Sequence, residues 1–111
     1  MPLLNISTNK KIKNEQILLE KASVFISSLL NKPEKFVMVK LTDSLPMYFA
    51  GTYESCCFVE IKSIGSLDPS KMSKPICEFI NSELEIVNER IYIFFQDVDS
   101  EMWAWNSETF G

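Results

Sequence analysis

The segment Pro2-Leu3-Leu4-Asn5-Ile6-Ser7-Thr8 follows Met1 as an apolar strand and opens a repeated pattern of strand, helix and strand. A proline is tolerated at the first residue of a strand, where its missing N–H is not needed. Apolar residues then recur at helical spacing from a cap at Asn14 to about Leu30. The next segment, residues 36–41, is apolar at nearly every position, which predicts a strand covered on both faces.

The second half of the chain repeats this order. Residues 57–64 alternate between apolar and polar side chains, as a strand does, and Asp68-Pro69 is typical of a helix start. An apolar stripe at helical spacing follows, in which Pro75 is expected to bend or loosen the first turns. Residues 90–95 predict the last strand of the unit, and the tail beyond them is rich in aromatic residues.

Two units of this kind define an α/β fold. We predict a single domain over residues 1–111, in which the two pseudo-repeated β-α-β units form one four-stranded mixed sheet with both helices on one face. Phe36, Met38, Tyr92 and Phe94 cannot all reach the same helices, so an apolar sheet face is left uncovered. Because such a patch usually marks an interface, we expect the chain to assemble as a closed ring.

Composition restricts the partners and the compartment. The net charge of −4 argues against nucleic acid, and Lys10-Lys11-Ile12-Lys13, the only basic cluster, is typical of a solvated loop. There is no run of 18 apolar residues to cross a membrane and no signal-peptide pattern at the N-terminus. We therefore expect synthesis in the cytoplasm and no membrane partner.

The absence of histidine narrows the chemistry. Three cysteines, two of them adjacent, are a poor disulfide framework and too few ligands for a usual zinc site, so no metal and no cofactor are predicted. Because the chain contains no histidine, every mechanism with an imidazole base is excluded. The base of an enzyme with this sequence must be a carboxylate, Lys, Tyr, Cys or the N-terminal amine.

Pro2 is a candidate for that base. Removal of Met1 would leave it as a free secondary amine, and α-amino groups titrate at about 7.7 to 8.0 in model peptides. An apolar pocket lowers the pKa further, so the amine could accept a proton near pH 7. The alternative is a proline that only begins a strand.

The order of several short motifs along the whole chain resembles the macrophage migration inhibitory factor and D-dopachrome tautomerase family, whose members use an N-terminal proline. The matching segments are Met1-Pro2, Asn31-Lys32-Pro33, Ser63-Ile64-Gly65, Arg90-Ile91-Tyr92-Ile93 and Trp105-Asn106-Ser107-Glu108-Thr109-Phe110. The resemblance implies a homotrimer with an active site at each subunit boundary. It also implies keto-enol tautomerisation of aromatic α-keto acids, such as phenylpyruvate, or of dopachrome analogues.

The resemblance also assigns roles to individual residues. Pro2 corresponds to the catalytic base, Lys32 to the cation that pairs with the substrate carboxylate, and Ile64 to the residue whose backbone amide binds a substrate oxygen. Tyr92 matches a tyrosine supplied by the neighbouring subunit, and aromatic side chains form the pocket walls. The substrate-binding positions are Lys32, Ile64, Tyr92, Phe94, Trp103, Trp105 and Phe110.

Some positions depart from the family pattern. Phe94 stands where many members carry asparagine, Phe36 stands where a tyrosine is common, and Trp103 is bulkier than the usual aliphatic residue. These changes predict a narrower and more apolar slot. The segment Cys56-Cys57-Phe58-Val59 lacks the second cysteine of a Cys-x-x-Cys motif, which argues against dithiol oxidoreductase activity.

Two functions therefore stay open at this point. The first is a phenylpyruvate-type tautomerase whose partner is a small aromatic keto-acid substrate. The second is a cytokine-like signalling protein with vestigial tautomerase activity, which would be secreted without a signal peptide. A protein receptor would then be a further partner if a host-associated organism secretes the protein.

Overall fold

The computed structural model describes all residues 1–111. Two helices and four main strands follow one another in the predicted order, and a two-stranded hairpin closes the chain. The elements are β1 Leu3–Thr8, α1 Glu15–Leu30, β2 Met38–Thr42, β3 Cys57–Ser63, α2 Pro69–Leu84, β4 Ile91–Asp97, β5 Ala104–Trp105 and β6 Glu108–Thr109.

The four main strands form one mixed sheet in the order β2-β1-β3-β4, which confirms the predicted fold class. Strand β1 runs parallel to β2 and antiparallel to β3, and β3 runs parallel to β4. In this register Leu3 lies between Met38 on one side and Lys62 on the other. Each β-α-β unit thus contributes two strands, and the N-terminal strand lies inside the sheet.

Both helices cover the same face of the sheet. Leu4 and Ile6 of β1 and Val59 and Ile61 of β3 alternate with less buried residues and face the helices. The helices meet through the stacked rings of Phe25 and Phe79, whose centroids are 4.5 Å apart. The buried stripes of the helices are Leu18, Ala22, Ile26 and Leu30 in α1, and Met72, Ile76, Ile80 and Leu84 in α2. Burial of these apolar side chains is the main stabilising contribution to the fold.

The ends of helix α1 follow the predicted capping chemistry. The side chain of Asn14 accepts a hydrogen bond from the backbone N–H of Ile17 at 3.1 Å, and Asn31 adopts the left-handed conformation that ends the helix. Helix α2 begins at Pro69 as expected. It runs unbroken through Pro75, although a proline there cannot donate to the carbonyl one turn earlier.

Two predicted strand starts were wrong. Phe36 ends the 3-10 helix Glu34–Phe36 and Arg90 ends the 3-10 helix Asn88–Arg90, so β2 and β4 begin after these turns. In each turn the next residue donates its backbone N–H three residues back, Val37 to Glu34 and Ile91 to Asn88, before strand pairing begins. The second strand was expected to be covered on both faces, but within one chain β2 is covered only on the face toward the helices, and Met38 on its other face is 62% exposed.

The sheet face turned away from the helices, which we call the open face, is uncovered. It carries Tyr92, 64% exposed, and Phe94, 48% exposed, on β4 in addition to Met38 on β2. Asn5 of β1 and Glu60 of β3 lie between Lys40 of β2 and Phe94 of β4 in one row across this face. None of the helices has the length and apolarity that a bilayer crossing requires.

The aromatic tail folds into a structure that composition alone does not predict. Strands β5 and β6 pair in antiparallel fashion around Asn106 and Ser107, whose φ angles of 53° and 69° are those of a two-residue hairpin turn. The backbone N–H of Phe110 then donates to the carbonyl of Trp103 at 3.0 Å. This hairpin brings the last aromatic residues back beside the N-terminus.

Candidate functional site

A cavity of about 530 Å³ lies at the start of strand β1, a volume typical of small-molecule sites. The N-terminus, the turn into β2, the third strand and the C-terminal hairpin all contribute to it. The lining residues are Met1, Pro2, Leu3, Lys35, Phe36, Val37, Met38, Lys62, Val98, Met102, Trp103, Ala104, Trp105 and Phe110. Its walls are therefore almost entirely apolar.

Pro2 lines this cavity in a rigid position. Its side chain is less than 2% exposed, and its carbonyl accepts a hydrogen bond from the backbone N–H of Met38 at 3.0 Å. The N-terminal amine, here carried by Met1, makes no ion pair within the chain. Burial, and after it the positive charge of Lys32, lowers the pKa of this amine below its usual value of 8.0. The amine therefore loses its proton at a lower pH than the amine of an exposed N-terminus does.

Aromatic rings form one wall of the cavity. The ring of Phe36 meets that of Trp105 edge-on with centroids 5.3 Å apart, and Trp105 stacks on Phe110 at 6.4 Å and 7°. The ammonium of Lys35 lies 5.0 Å from the centroid of the Phe36 ring. Flat apolar surfaces of this kind suit the face of an aromatic ligand.

The structure brings together four of the eight residues singled out from the sequence, namely Pro2, Trp103, Trp105 and Phe110. Lys32 does not line the cavity. It follows helix α1 and is half-buried, and it is close enough to influence the pKa of the terminal amine. Lys35, three residues further on, is the lysine of this turn that lines the cavity.

Ile64 presents an unused backbone donor. Its N–H makes no hydrogen bond within the chain, whereas the N–H of Gly65 donates to the carboxylate of Asp97 at 2.8 Å. The carbonyl of Ser63 accepts from Val98 at 2.9 Å, which joins this turn to the end of β4. The turn is thus held in place while the Ile64 N–H stays available, although Ile64 itself does not line the cavity.

Tyr92 and Phe94 lie outside the cavity of their own chain. Both are on the open face of β4, which is separated from β1 by strand β3. Tyr92 packs edge-on against Phe49, with ring centroids 4.8 Å apart. No residue of β4 lines the cavity within one chain.

Sequence reasoning missed two charged residues of the cavity, Lys35 and Lys62. The only local feature that could have indicated a role for Lys35 is the aromatic residue that follows it, Phe36. Lys62 lies on the open face, in the alternating pattern of β3, and its place beside Leu3 depends on the antiparallel register of β1 and β3. The alternating pattern predicted the sheet face on which Lys62 lies. That Leu3 is its neighbour on β1 could be known only from the order and register of the strands.

The cysteines are separate from the cavity. All three are free, and Cys56 and Cys57 are buried. Burial, and then the neighbouring Cys56 and Cys77, raises the pKa of Cys57 to about 12, and burial also raises the pKa of Cys77. Because thiolates are the reactive species, these thiols are poor nucleophiles. No cluster of three or more potential metal ligands occurs among the His, Cys, Asp and Glu side chains.

An apolar cavity around the N-terminus of a mixed sheet with two helices on one face defines a class of small α/β proteins. The sequence profile of the macrophage migration inhibitory factor (MIF) family matches residues 1–111. The chain therefore belongs to the MIF family.

Individual relatives agree with this assignment. The chain is 31% identical to the macrophage migration inhibitory factor homologue of Brugia malayi, with all of both chains covered. A crystal structure of a homologue from Prochlorococcus marinus is 42% identical and superimposes with a TM-score of 0.92, over 98% of this chain and 99% of the other. The structure from Trichinella spiralis is 26% identical and has a TM-score of 0.91, over 97% and 99%.

Proposed function

We propose that this protein is a keto-enol tautomerase of aromatic α-keto acids of the phenylpyruvate type, or of dopachrome analogues, with Pro2 as its general base. The observation that carries the proposal is the buried Pro2 in an apolar cavity, beside a terminal amine whose pKa is lowered. After removal of Met1, the secondary amine of Pro2 would occupy this environment. A neutral amine near pH 7 is what proton abstraction requires.

In the proposed reaction, the lone pair of the Pro2 nitrogen takes a proton from the carbon next to the keto group. The electrons of the broken C–H bond form the C=C bond, and the carbonyl electrons move to oxygen as an enolate. Lys32, whose charge acts on the terminal amine, and the free N–H of Ile64 would stabilise the charge on the carboxylate and the enolate oxygen, although neither residue lines the cavity within one chain. The protonated amine then returns the proton to that oxygen, which gives the enol and restores the base.

The proposal includes a homotrimer. The uncovered open face and the edge strand β2 support self-association, since contiguous apolar patches and unpaired edges are usually covered in the working form of a protein. Tyr92 and Phe94 would then complete the cavity of a neighbouring copy, next to Trp103, Trp105 and Phe110. In such an arrangement, Tyr92 and Phe94 would lie apart from the cavity of their own chain because they belong to the cavity of the next one.

The test compares processed and unprocessed protein. Intact mass identifies samples with and without Met1, and each is assayed with phenylpyruvate at equal concentration. We expect the sample that retains Met1 to be about 10²- to 10⁴-fold less active, because its Pro2 nitrogen is an amide without a basic lone pair. Equal activity of the two samples would overturn the assignment of Pro2 as the base.

A matched control separates loss of the base from loss of fold. Pro2→Gly, after removal of Met1, keeps a free terminal amine at the same place but lacks the ring, so it should retain part of the activity. Protein that retains Met1 should bind an unreactive analogue such as cinnamate more weakly, yet unfold at the same temperature as the processed form.

A further inference from the structure

The charged side chains that line the cavity are all positive. Lys35 and Lys62 are the only ionisable side chains among its lining residues. No aspartate or glutamate lines it, although acidic residues outnumber basic ones by 15 to 11 in the whole chain. A cavity with only positive groups in an acidic protein selects anionic ligands.

The two lysines lie on opposite flanks of strand β1. Lys35 belongs to the turn that leads into β2, and Lys62 belongs to β3. Leu3 separates the two flanks, with Met38 on one side and Lys62 on the other, so the backbones of these flanking residues are about 10 Å apart. Lys32 belongs to the same connection between α1 and β2 as Lys35. A ligand that crosses Pro2 and Leu3 would therefore meet a cation at each end.

Lys62 is not neutralised by the acidic residue nearest to it along the strand. Glu60 lies two residues away on the open face, but it is engaged by the side-chain amide of Asn5 at 3.1 Å. Lys62 makes no ion pair within the chain, and it is half-buried. Half-burial reduces solvent screening of its charge, so a ligand anion at this flank would be attracted more strongly than at an exposed lysine.

We propose that the cavity takes aromatic ligands with two anionic groups: the α-keto carboxylate near Lys32 and Lys35, and a second anion at the far end of the ring, next to Lys62. This inference names the substrate class of the proposed tautomerase and rests on that function. Phe36 and Phe94 lack the polar groups that would bind a neutral ring hydroxyl, whereas Lys62 provides a partner for a ring carboxylate.

The experiment measures binding with unreactive ligands, so that it does not depend on catalysis. Processed protein is titrated by calorimetry with the dianion 4-carboxycinnamate, with the monoanion 4-carbamoylcinnamate, in which a neutral amide replaces the ring carboxylate, and with cinnamate. We expect the dianion to bind about fivefold to tenfold more tightly than the carbamoyl compound, as for a charge-assisted hydrogen bond in a partly screened site. In Lys62→Gln this ratio should fall to within about twofold of one, whereas Lys62→Arg should retain it.

Lys74→Gln is the matched control, because Lys74 is an exposed, unpaired lysine on helix α2 outside the cavity. It makes the same change in net charge and should leave the ratio unchanged. Equal affinity of the wild type for the dianion and the carbamoyl compound would overturn the proposal, and so would an unchanged ratio in folded Lys62→Gln. A ratio lowered equally by Lys74→Gln would show a general charge effect and would overturn it as well.

Activity assays distinguish failure of this inference from failure of the proposed function. If processed protein turns over phenylpyruvate but shows no preference for 4-carboxyphenylpyruvate, the tautomerase stands and the dianion inference fails. If neither compound is turned over while the binding ratio is as expected, the proposed reaction fails and the cavity is a binding site for aromatic dianions.

Discussion

The carbonyl of Pro2 accepts a hydrogen bond from the backbone N–H of Met38 at 3.0 Å, which joins the N-terminus to the first residue of the edge strand β2. This bond continues the parallel pairing of β1 and β2 one residue beyond the strand itself. An N-terminus is often the most mobile part of a chain. Here it is held inside a sheet, so that an amine at this point has a defined place in the cavity.

Replacement of Lys32 should change the pKa of the terminal amine. Burial and the charge of Lys32 both lower the pKa of the amine, and burial is the larger cause. The neutral, basic form of the amine is gained as pH rises through its pKa. Lys32→Ala removes the smaller cause, so the pKa should rise but stay below 8.0.

This shift is measured by NMR titration of the Met1 amine in unprocessed protein, and by the acid limb of kcat/KM in processed protein. Both should move to higher pH in Lys32→Ala. Lys74→Ala, which removes an exposed lysine from helix α2, should leave both unchanged. An identical titration in Lys32→Ala and the wild type would show that Lys32 does not act on the amine.

Self-association should be visible in solution. At micromolar concentration, sedimentation equilibrium should give three chain masses, because the open face leaves Met38, Tyr92 and Phe94 uncovered in one chain. Phe94→Asp places a charge on this face and should yield monomers. Val24→Asp is the control, since Val24 is an exposed apolar residue on helix α1 and not on the open face. A wild-type mass of one chain would contradict the trimer.

The cysteines should be nearly inert in the folded protein. With a pKa of about 12, Cys57 is a thiolate in only about one molecule in ten thousand at pH 8, and Cys56 is buried beside it. Ellman's reagent at pH 8 should therefore modify at most one thiol, Cys77, and all three after unfolding. Cys77→Ser should show none before unfolding. Reduction of insulin disulfides by the wild type, lost in Cys56→Ser, would contradict this prediction.

Arg90 should matter for stability rather than for chemistry. Only 8% of it is exposed, and its guanidinium donates to the carbonyls of Phe49, Glu54 and Ser55 at 2.6, 2.7 and 3.3 Å. In Arg90→Lys, the single ammonium group of the lysine side chain cannot reach all three carbonyl oxygens. We expect a loss of about 2 kcal/mol in the free energy of unfolding, as for the loss of hydrogen bonds from a charged, buried donor to partly buried acceptors.

Urea unfolding at one fixed protein concentration measures this loss. Lys74→Arg is the matched control and should change the free energy of unfolding by less than about 0.5 kcal/mol. A change of that small size in Arg90→Lys would indicate that the three carbonyls are satisfied by solvent instead.

The candidate site was only partly predictable from the sequence. Trp103, Trp105 and Phe110 were singled out through a family resemblance, and the structure lines the cavity with them. Their approach to Pro2 depends on the hairpin at Asn106 and Ser107, which needs two left-handed residues in succession. Asn-Ser is a weaker signal for this turn than Asn-Gly, so the hairpin was not predicted.

The sequence by itself determined the order of the elements, because periods of 2 and 3.6 residues and the residues at helix ends are local properties of the chain. It also determined that an apolar sheet face would be left over. The tertiary structure alone decided which residues meet around Pro2. Lys62 lines the cavity because β1 pairs with β3 in one register, and Phe36 does so because a 3-10 turn ends there. Pairing register and turn geometry depend on contacts between residues far apart in the chain, and no local pattern encodes them.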